Sequence, residues 1–148
     1  MWVSEDLYSR ILQVMPIPCV DLIVVDETSN VLIVLRRHEP AAGQWWFPGE
    51  RVLFGELRPE AARRKLEEEC GLSSMQFEEV GTFDLLFDIR PGERLHSITT
   101  LFSAKVARDR SLRLDNQSHE ACWLPSREWL GRGLHPFVRQ RLEGMPLP

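Results

Sequence analysis

The sequence is poor in cysteine and lysine and contains no long hydrophobic run. Its three cysteines, Cys19, Cys70 and Cys122, form no C-x-x-C pair and no zinc-like spacing with histidine, which argues against disulfide and zinc scaffolds. The longest aliphatic run, residues 31–35, is too short to span a bilayer, and acidic residues stand where a signal peptide carries basic ones. We therefore expect buried free thiols, a cytoplasmic location and no membrane partner.

A broad basic surface is also missing, since the net charge is -4. A protein that coats nucleic acid needs such a surface, so we expect no nucleic-acid partner. The basic residues are 16 arginines and only 2 lysines. Arginine binds phosphate or carboxylate through two parallel hydrogen bonds, but codon usage would also explain the excess.

The chain has 148 residues, of which 43% are hydrophobic, and this composition suits one domain over residues 1–148. Apolar spacing, β-branched runs and turn residues predict mixed α and β structure, in which a sheet carries helices on its faces. The predicted helices cover residues 6–15, 59–70, 127–130 and 137–142, and the predicted strands cover residues 19–25, 31–35, 77–87, 97–106 and 122–124.

Carboxylates are concentrated around the glycine-containing loop 49–56 and in the helix that follows it, which carries Glu67, Glu68 and Glu69. Neighbouring carboxylates repel one another and need either solvent or a cation. Mg²⁺ and Mn²⁺ take oxygen ligands of this kind. Composition alone leaves both a solvated acidic surface and a metal site open.

The spacing in this segment resembles the Nudix box, G-x5-E-x7-R-E-U-x-E-E-x-G-U, where U is aliphatic. Phe47-Pro48-Gly49 stands in front of it, and seven of the nine defined positions match. These are Glu56, Arg64, Leu66, Glu68, Glu69, Gly71 and Leu72. The chain is identified as a member of the Nudix hydrolase superfamily, which implies the α/β Nudix fold, a mixed β-sheet sandwiched between α-helices.

Two positions depart from the box. Glu50 replaces its first glycine, and Lys65 replaces the first glutamate of R-E-U-x-E-E. Lys65 precedes Glu68 by three residues and Glu69 by four, so we expect its ammonium to lie beside both carboxylates on one helix face. Such pairing would weaken metal binding and make ordinary multi-metal chemistry doubtful.

Outside the box, the chain is similar to GDP-mannose mannosyl hydrolases, which cleave the C–O bond of a nucleotide sugar. The similarity covers the N-terminal helix, the strand at residues 20–24, Leu35-Arg36-Arg37, the loop 40–45, Arg51-Val52 and Asp115-Asn116-Gln117 before Trp123. It implies a homodimer and one Mg²⁺, or Mn²⁺ in its place. The implied metal ligands are the Gly49 carbonyl, Glu69 and Gln117, with Glu68 beside them.

The same resemblance assigns roles to three charged residues. It implies that Arg37 and Arg51 stabilise the leaving diphosphate, as guanidinium groups can, and that Asp21 contacts the nucleotide or sugar. Solvated charges at strand ends remain the alternative for the arginines, and a capping carboxylate remains the alternative for Asp21.

The general base is the weakest match. The family places a histidine directly after the metal-binding glutamine, whereas here Ser118 follows Gln117 and His119 comes one residue later. A bulge in the chain would aim His119 at the attacking water; otherwise His119 is a loop histidine. His96 is expected at a strand end or in the core.

Three tryptophans stand near the predicted site. Trp45, Trp46 and Trp123 have two readings, as core residues or as platforms for a nucleobase.

These patterns leave three functions open. The first is Mg²⁺-dependent hydrolysis of a GDP-mannose-like nucleotide sugar, in which water attacks the anomeric carbon and the nucleoside diphosphate leaves. The second is a nucleoside-diphosphate-X pyrophosphohydrolase with attack at phosphorus. The third is a degraded domain that binds a nucleotide without turnover, suggested by Glu50, Lys65 and Ser118.

Overall fold

The computed structural model describes residues 3–70, 76–107 and 118–145, without the side chains of residues 69–70 and 118–119. Gly71, Leu72, Asp115, Asn116 and Gln117 lie outside the described residues.

The elements follow the predicted order closely. The helices are α1 (Glu5–Val14), α2 (Arg58–Cys70), α3 (Ser126–Leu130) and α4 (Pro136–Glu143). The strands are β1 (Ile17–Val25), β2 (Asn30–Arg36), β3 (Trp45–Trp46), β4 (Gly49–Arg51), β5 (Gln76–Arg90), β6 (Glu93–Lys105) and β7 (Ser118–Pro125).

The seven strands in the described part of the chain belong to one mixed sheet, which confirms the predicted fold class. β1 lies in its interior and pairs in parallel with β6 along its whole length, from Ile17 opposite Ser97 to Val25 opposite Lys105. β5 and β6 form the predicted long hairpin. β1 and β2 are joined by a turn as predicted, but they pair only at Val24–Leu32 and Val25–Val31. β2 pairs instead with β7 over most of its length. β7 is therefore a full strand of the sheet and is longer than the predicted strand at residues 122–124.

The apolar core is divided between the two faces of this sheet. Successive residues of a strand point to opposite faces, so Leu22 packs towards α2 and Ile23 towards α3 and α4. This two-sided burial explains why β1 has a nearly continuous apolar sequence. Ala61, Ala62 and Leu66 supply the apolar side of α2, as its helical spacing predicts.

The two cysteines whose side chains the structure describes have free thiols that are less buried than predicted. Cys19 and Cys122 are unpaired and half-buried. Among the described residues, no helix is both long and apolar enough to cross a bilayer.

Candidate active site

One end of the sheet forms a cavity of about 480 Å³, and α1 covers its side. The strands β1 and β4 build its base, because they pair with Asp21 opposite Gly49 and Cys19 opposite Arg51. Tyr8 from α1 also lines the cavity. A cavity of this volume is within the range of small-molecule sites.

Gly49 is needed where β4 approaches β1. A Cβ atom at this position would lie 2.6 Å from the carbonyl oxygen of Val20 and would overlap the Asp21 carboxylate. The close approach of the two backbones therefore excludes every residue with a side chain, and it places the Pro48-Gly49 segment at the cavity.

Asp21 is a buried carboxylate in the cavity wall, only 6% exposed. Burial raises its pKa to about 6, while a hydrogen bond from Thr99 and the charge of Arg36 act in the opposite direction. The Thr99 hydroxyl donates to Asp21 Oδ2 at 2.6 Å. Asp21 therefore belongs to an interior strand and does not cap an element.

The structure brings Arg51, Gly49 and Asp21 together at the cavity, but not Arg37. Arg37 is exposed, and the neighbouring Arg36 lines the cavity instead. Arg36 Nε donates to the Pro40 carbonyl at 2.8 Å, which holds its guanidinium at this edge.

Sequence reasoning also missed Tyr8 and Cys19 as lining residues. Arg51 Cζ lies 4.9 Å from the centre of the Tyr8 ring, so the two side chains form a cation–π contact. Cys19 beside them is half-buried, and burial raises the pKa of its thiol to about 12. The alternation of β1, which places Cys19 and Asp21 on one face, is the signal that would have found Cys19.

One arginine of α2 connects the charged residues of the box, which lie on β4, in the following loop and on α2 itself. Arg64 binds both oxygens of Glu56, at 2.6 Å and 3.1 Å, and also contacts Glu50 at 3.0 Å and Glu68 at 3.1 Å. The hydrogen bond from Arg64 lowers the pKa of Glu56. This cluster ties the loop between β4 and α2 to the helix.

Lys65 does not lie on the solvated acidic face. It is fully buried, and its Nζ is 3.6 Å from Glu50 Oε2, whereas Glu68 is paired with Arg64. Glu69 lies on α2, but its side chain is outside the described part, so the expected pairing with it stays a prediction.

The β7 backbone contains an irregularity at the predicted base. Leu35 pairs with Glu120 and Arg36 with Ser118, so His119 is an extra residue in the ladder, as in a β-bulge. The side chain of His119 is not among the described ones. His96 lines the cavity near the start of β6 and lies 3.3 Å from Asp84.

The tryptophans are mainly core residues. Trp46 is 3% exposed and stacks on Phe137, while Trp45 contacts Trp129 at 5.3 Å between ring centres. Trp123 packs against the core on the α2 side of the sheet. Trp46 also lines the cavity, so of the three it is the one placed beside a prospective ligand.

The chain has a mixed sheet between helices, and the loop of the Nudix box lies at a cavity at one end of this sheet. This arrangement is the one that the Nudix class implies. The NUDIX domain family model matches residues 15–143, and the chain belongs to this family. Membership supports hydrolase activity.

Particular relatives agree with this class. The chain is 31% identical over 147 residues to the low-salt glycan biosynthesis protein Agl8 of Haloferax volcanii, covering 97% of this chain and 90% of that protein. Its fold is similar to a MutT protein from Methanosarcina mazei Go1, with a TM-score of 0.73, 23% identity and coverage of 86% and 91% of the two chains. It is equally similar to the NUDIX domain of Shewanella oneidensis NrtR complexed with ADP ribose, with a TM-score of 0.73, 20% identity and coverage of 95% and 96%.

Proposed function

We propose that this protein is a Mg²⁺-dependent Nudix hydrolase of a nucleotide sugar similar to GDP-mannose. The observation that carries the proposal is the cavity in which Arg36 and Arg51 stand beside Gly49 and Asp21. Guanidinium groups stabilise the negative charge that develops on a departing diphosphate. Likeness to a glycan biosynthesis protein supports a sugar-containing substrate.

The donors of the proposed metal site are hard oxygens, which suit Mg²⁺ or Mn²⁺. No group of three or more His, Cys, Asp or Glu side chains in the described part could hold a metal. As the family resemblance implies, the Gly49 carbonyl, Glu69 and Gln117 would hold the ion, with Glu68 beside them. A bound ion would supply positive charge opposite the diphosphate.

The chain's own residues divide the remaining work. Arg51, held against Tyr8, and Arg36, held by Pro40, would bind the diphosphate and orient the sugar towards Asp21. His119 would remove a proton from the water that attacks the anomeric carbon. The bulge at this residue supports the proposal, because bulges redirect a side chain at functional sites.

Attack at phosphorus is the second candidate, and likeness to a domain complexed with ADP ribose, which contains a diphosphate, favours it. Hydrolysis of GDP-mannose with Mg²⁺ in ¹⁸O-labelled water separates the two reactions. Label in the free mannose is expected from our proposal, and label in a phosphate product would replace it with the pyrophosphohydrolase.

A panel of nucleotide sugars and dinucleotides, with and without Mg²⁺, tests the third function. If the protein binds compounds of this panel but hydrolyses none of them, it is a degraded domain. Metal-dependent turnover that Glu69→Gln abolishes would exclude that function. The proposed homodimer is a separate question, which sedimentation of the intact protein addresses.

A further inference from the structure

The two residues that depart from the Nudix box meet in the folded protein. Glu50 lies on β4 and Lys65 on α2, and Lys65 Nζ is 3.6 Å from Glu50 Oε2. Where the usual box has glycine and glutamate, this chain has glutamate and lysine. A carboxylate is therefore still present at the junction of the two elements, but it comes from β4, and α2 contributes a positive charge.

The position of Lys65 is unusual for a lysine because its side chain is fully buried. A buried ammonium is stable only beside compensating charges. Glu50 supplies one such charge, and Arg64 also holds Glu50 at 3.0 Å. Asp21 supplies a second compensating charge. Burial is the largest influence on the pKa of Asp21 and raises it, whereas the positive charge of Lys65 is one of the smaller influences that lower it.

Lys65 thus lies beside Glu50, which lines the cavity, and its charge is balanced by acidic groups as that of a divalent ion is by its carboxylate ligands. Its position also differs from that of an ordinary surface pair. The side chain of Glu50 is 23% exposed, whereas that of Lys65 is inaccessible to solvent. Salt and solvent therefore screen this charge much less than they screen exposed ion pairs.

We propose that the Lys65 ammonium, paired with Glu50, is a built-in substitute for one divalent cation of the Nudix box. The protein would then bind one metal ion fewer than a chain with the usual glycine and glutamate. This inference rests on the metal dependence of the proposed function, but not on the substrate or on the bond that is cleaved.

The test counts metal ions. Mn²⁺ is titrated into the metal-free, full-length protein, and free Mn²⁺ is followed by electron paramagnetic resonance. The double variant Glu50→Gly/Lys65→Glu should bind one more ion per chain than the wild type. The control variant is Lys105→Glu, which changes the second lysine of the chain, an exposed residue at the end of β6. This variant should bind as many ions as the wild type. Equal counts for the wild type and E50G/K65E would overturn the proposal.

Thermal unfolding in EDTA and in Mn²⁺ gives an independent measurement. K65E should have a lower Tm than the wild type in EDTA, because it adds a carboxylate beside Glu50, and Mn²⁺ should recover much of the loss. Glu50→Gln should also lower Tm in EDTA, but Mn²⁺ should not recover it, because Lys65 remains. An equal Mn²⁺ response of K65E, E50Q and the wild type contradicts the proposal.

Neither measurement depends on turnover. A protein that hydrolyses no nucleotide sugar would still show the expected ion counts if Lys65 substitutes for a cation. An active nucleotide-sugar hydrolase with equal ion counts would refute only the role of Lys65.

Discussion

At the scale of single residues, the site depends on charges that are buried or held in place. Asp21 is buried in the cavity wall, while Arg36 and Arg51 are each held by a neighbouring group. Burial of a carboxylate favours its neutral form, and a fixed guanidinium loses less entropy on binding an anion than a free one. Substitutions at these positions should therefore have separable effects on stability and on catalysis.

Asp21 should make the stability of the metal-free protein depend on pH. Its pKa is about 6 in the folded protein against 3.8 ordinarily, so its stabilising contribution is present below pH 4 and is lost as the pH rises through 6. The slope is about 1.4 kcal/mol per pH unit at most. Urea unfolding between pH 4 and 7 should show Asp21→Asn gaining stability relative to the wild type as the pH rises.

The matched control for this measurement is Asp88→Asn. Asp88 is exposed, and its hydrogen bond with Arg94 lowers the pKa of its carboxyl, so its contribution is lost as the pH falls. Parallel pH profiles for D21N and the wild type would show that Asp21 titrates as an ordinary aspartate.

Arg36 and Arg37 are neighbours with different surroundings, and they form a matched pair. Arg36 lines the cavity and Arg37 is exposed, so we expect Arg36→Ala to lower kcat/KM by about 100-fold and Arg37→Ala by much less. Steady-state hydrolysis of the nucleotide sugar measures both. A larger loss of kcat/KM for Arg37→Ala than for Arg36→Ala would instead support the diphosphate role that the family resemblance assigns to Arg37.

At the scale of elements, α1 covers the cavity without contributing to the core. It contains no buried residue, yet Tyr8 and Leu12 line the cavity. β7 shows a similar division, because its regular part completes the sheet and its first residues contain the bulge at His119. Tyr8 and Leu12 therefore line the cavity without adding to the buried core, whereas the role of His119 in the site stays a prediction.

Tyr8 therefore offers a test of α1. Tyr8→Ala removes the ring under the Arg51 guanidinium and should raise KM about threefold, in proportion to a half-exposed cation–π contact. Tyr8→Phe keeps the ring and should behave as the wild type. Tm should change little in either variant, because no residue of α1 is buried. Equal KM values for Y8A and Y8F would mean that the ring does not position Arg51.

At the scale of the whole molecule, two cores on opposite faces of one sheet hold the site. Leu66 and its neighbours hold α2 against one face, and Trp129 and Phe137 hold the C-terminal helices against the other. Trp129 is fully buried, and its Nε1 donates to the Val31 carbonyl at 3.0 Å. It thus connects α3 to β2 through both packing and a buried hydrogen bond.

Trp129→Phe should lower the free energy of unfolding by about 2 to 4 kcal/mol, because it leaves a cavity and removes the buried hydrogen bond to the Val31 carbonyl. Trp45→Phe removes the same atoms from a half-buried ring that contacts Trp129, and it should cost clearly less. Chemical denaturation of both variants makes the comparison. A larger loss for W45F would place the important packing at the edge of the sheet.

Much of the fold was predictable because its signals are local. The apolar spacing of α2 and the β-branched runs of β1 and β2 predict these elements, and their observed bounds differ by only one or two residues. The residues Glu56, Arg64 and Glu68 were identified by the resemblance of their spacing to the Nudix box, and helical spacing additionally places Arg64 and Glu68 side by side. Their ion pairs through Arg64 agree with that spacing.

The sequence by itself determined the order of elements, the family and the acidic box. Only the tertiary structure decided that Arg36 faces the cavity where Arg37 does not, and that Lys65 is buried against Glu50. The first depends on the distant strands that form the cavity beside the end of β2, and the second on where β4 meets α2. Both are contacts between segments far apart in the chain, and periodicity along one segment carries no information about its distant partner.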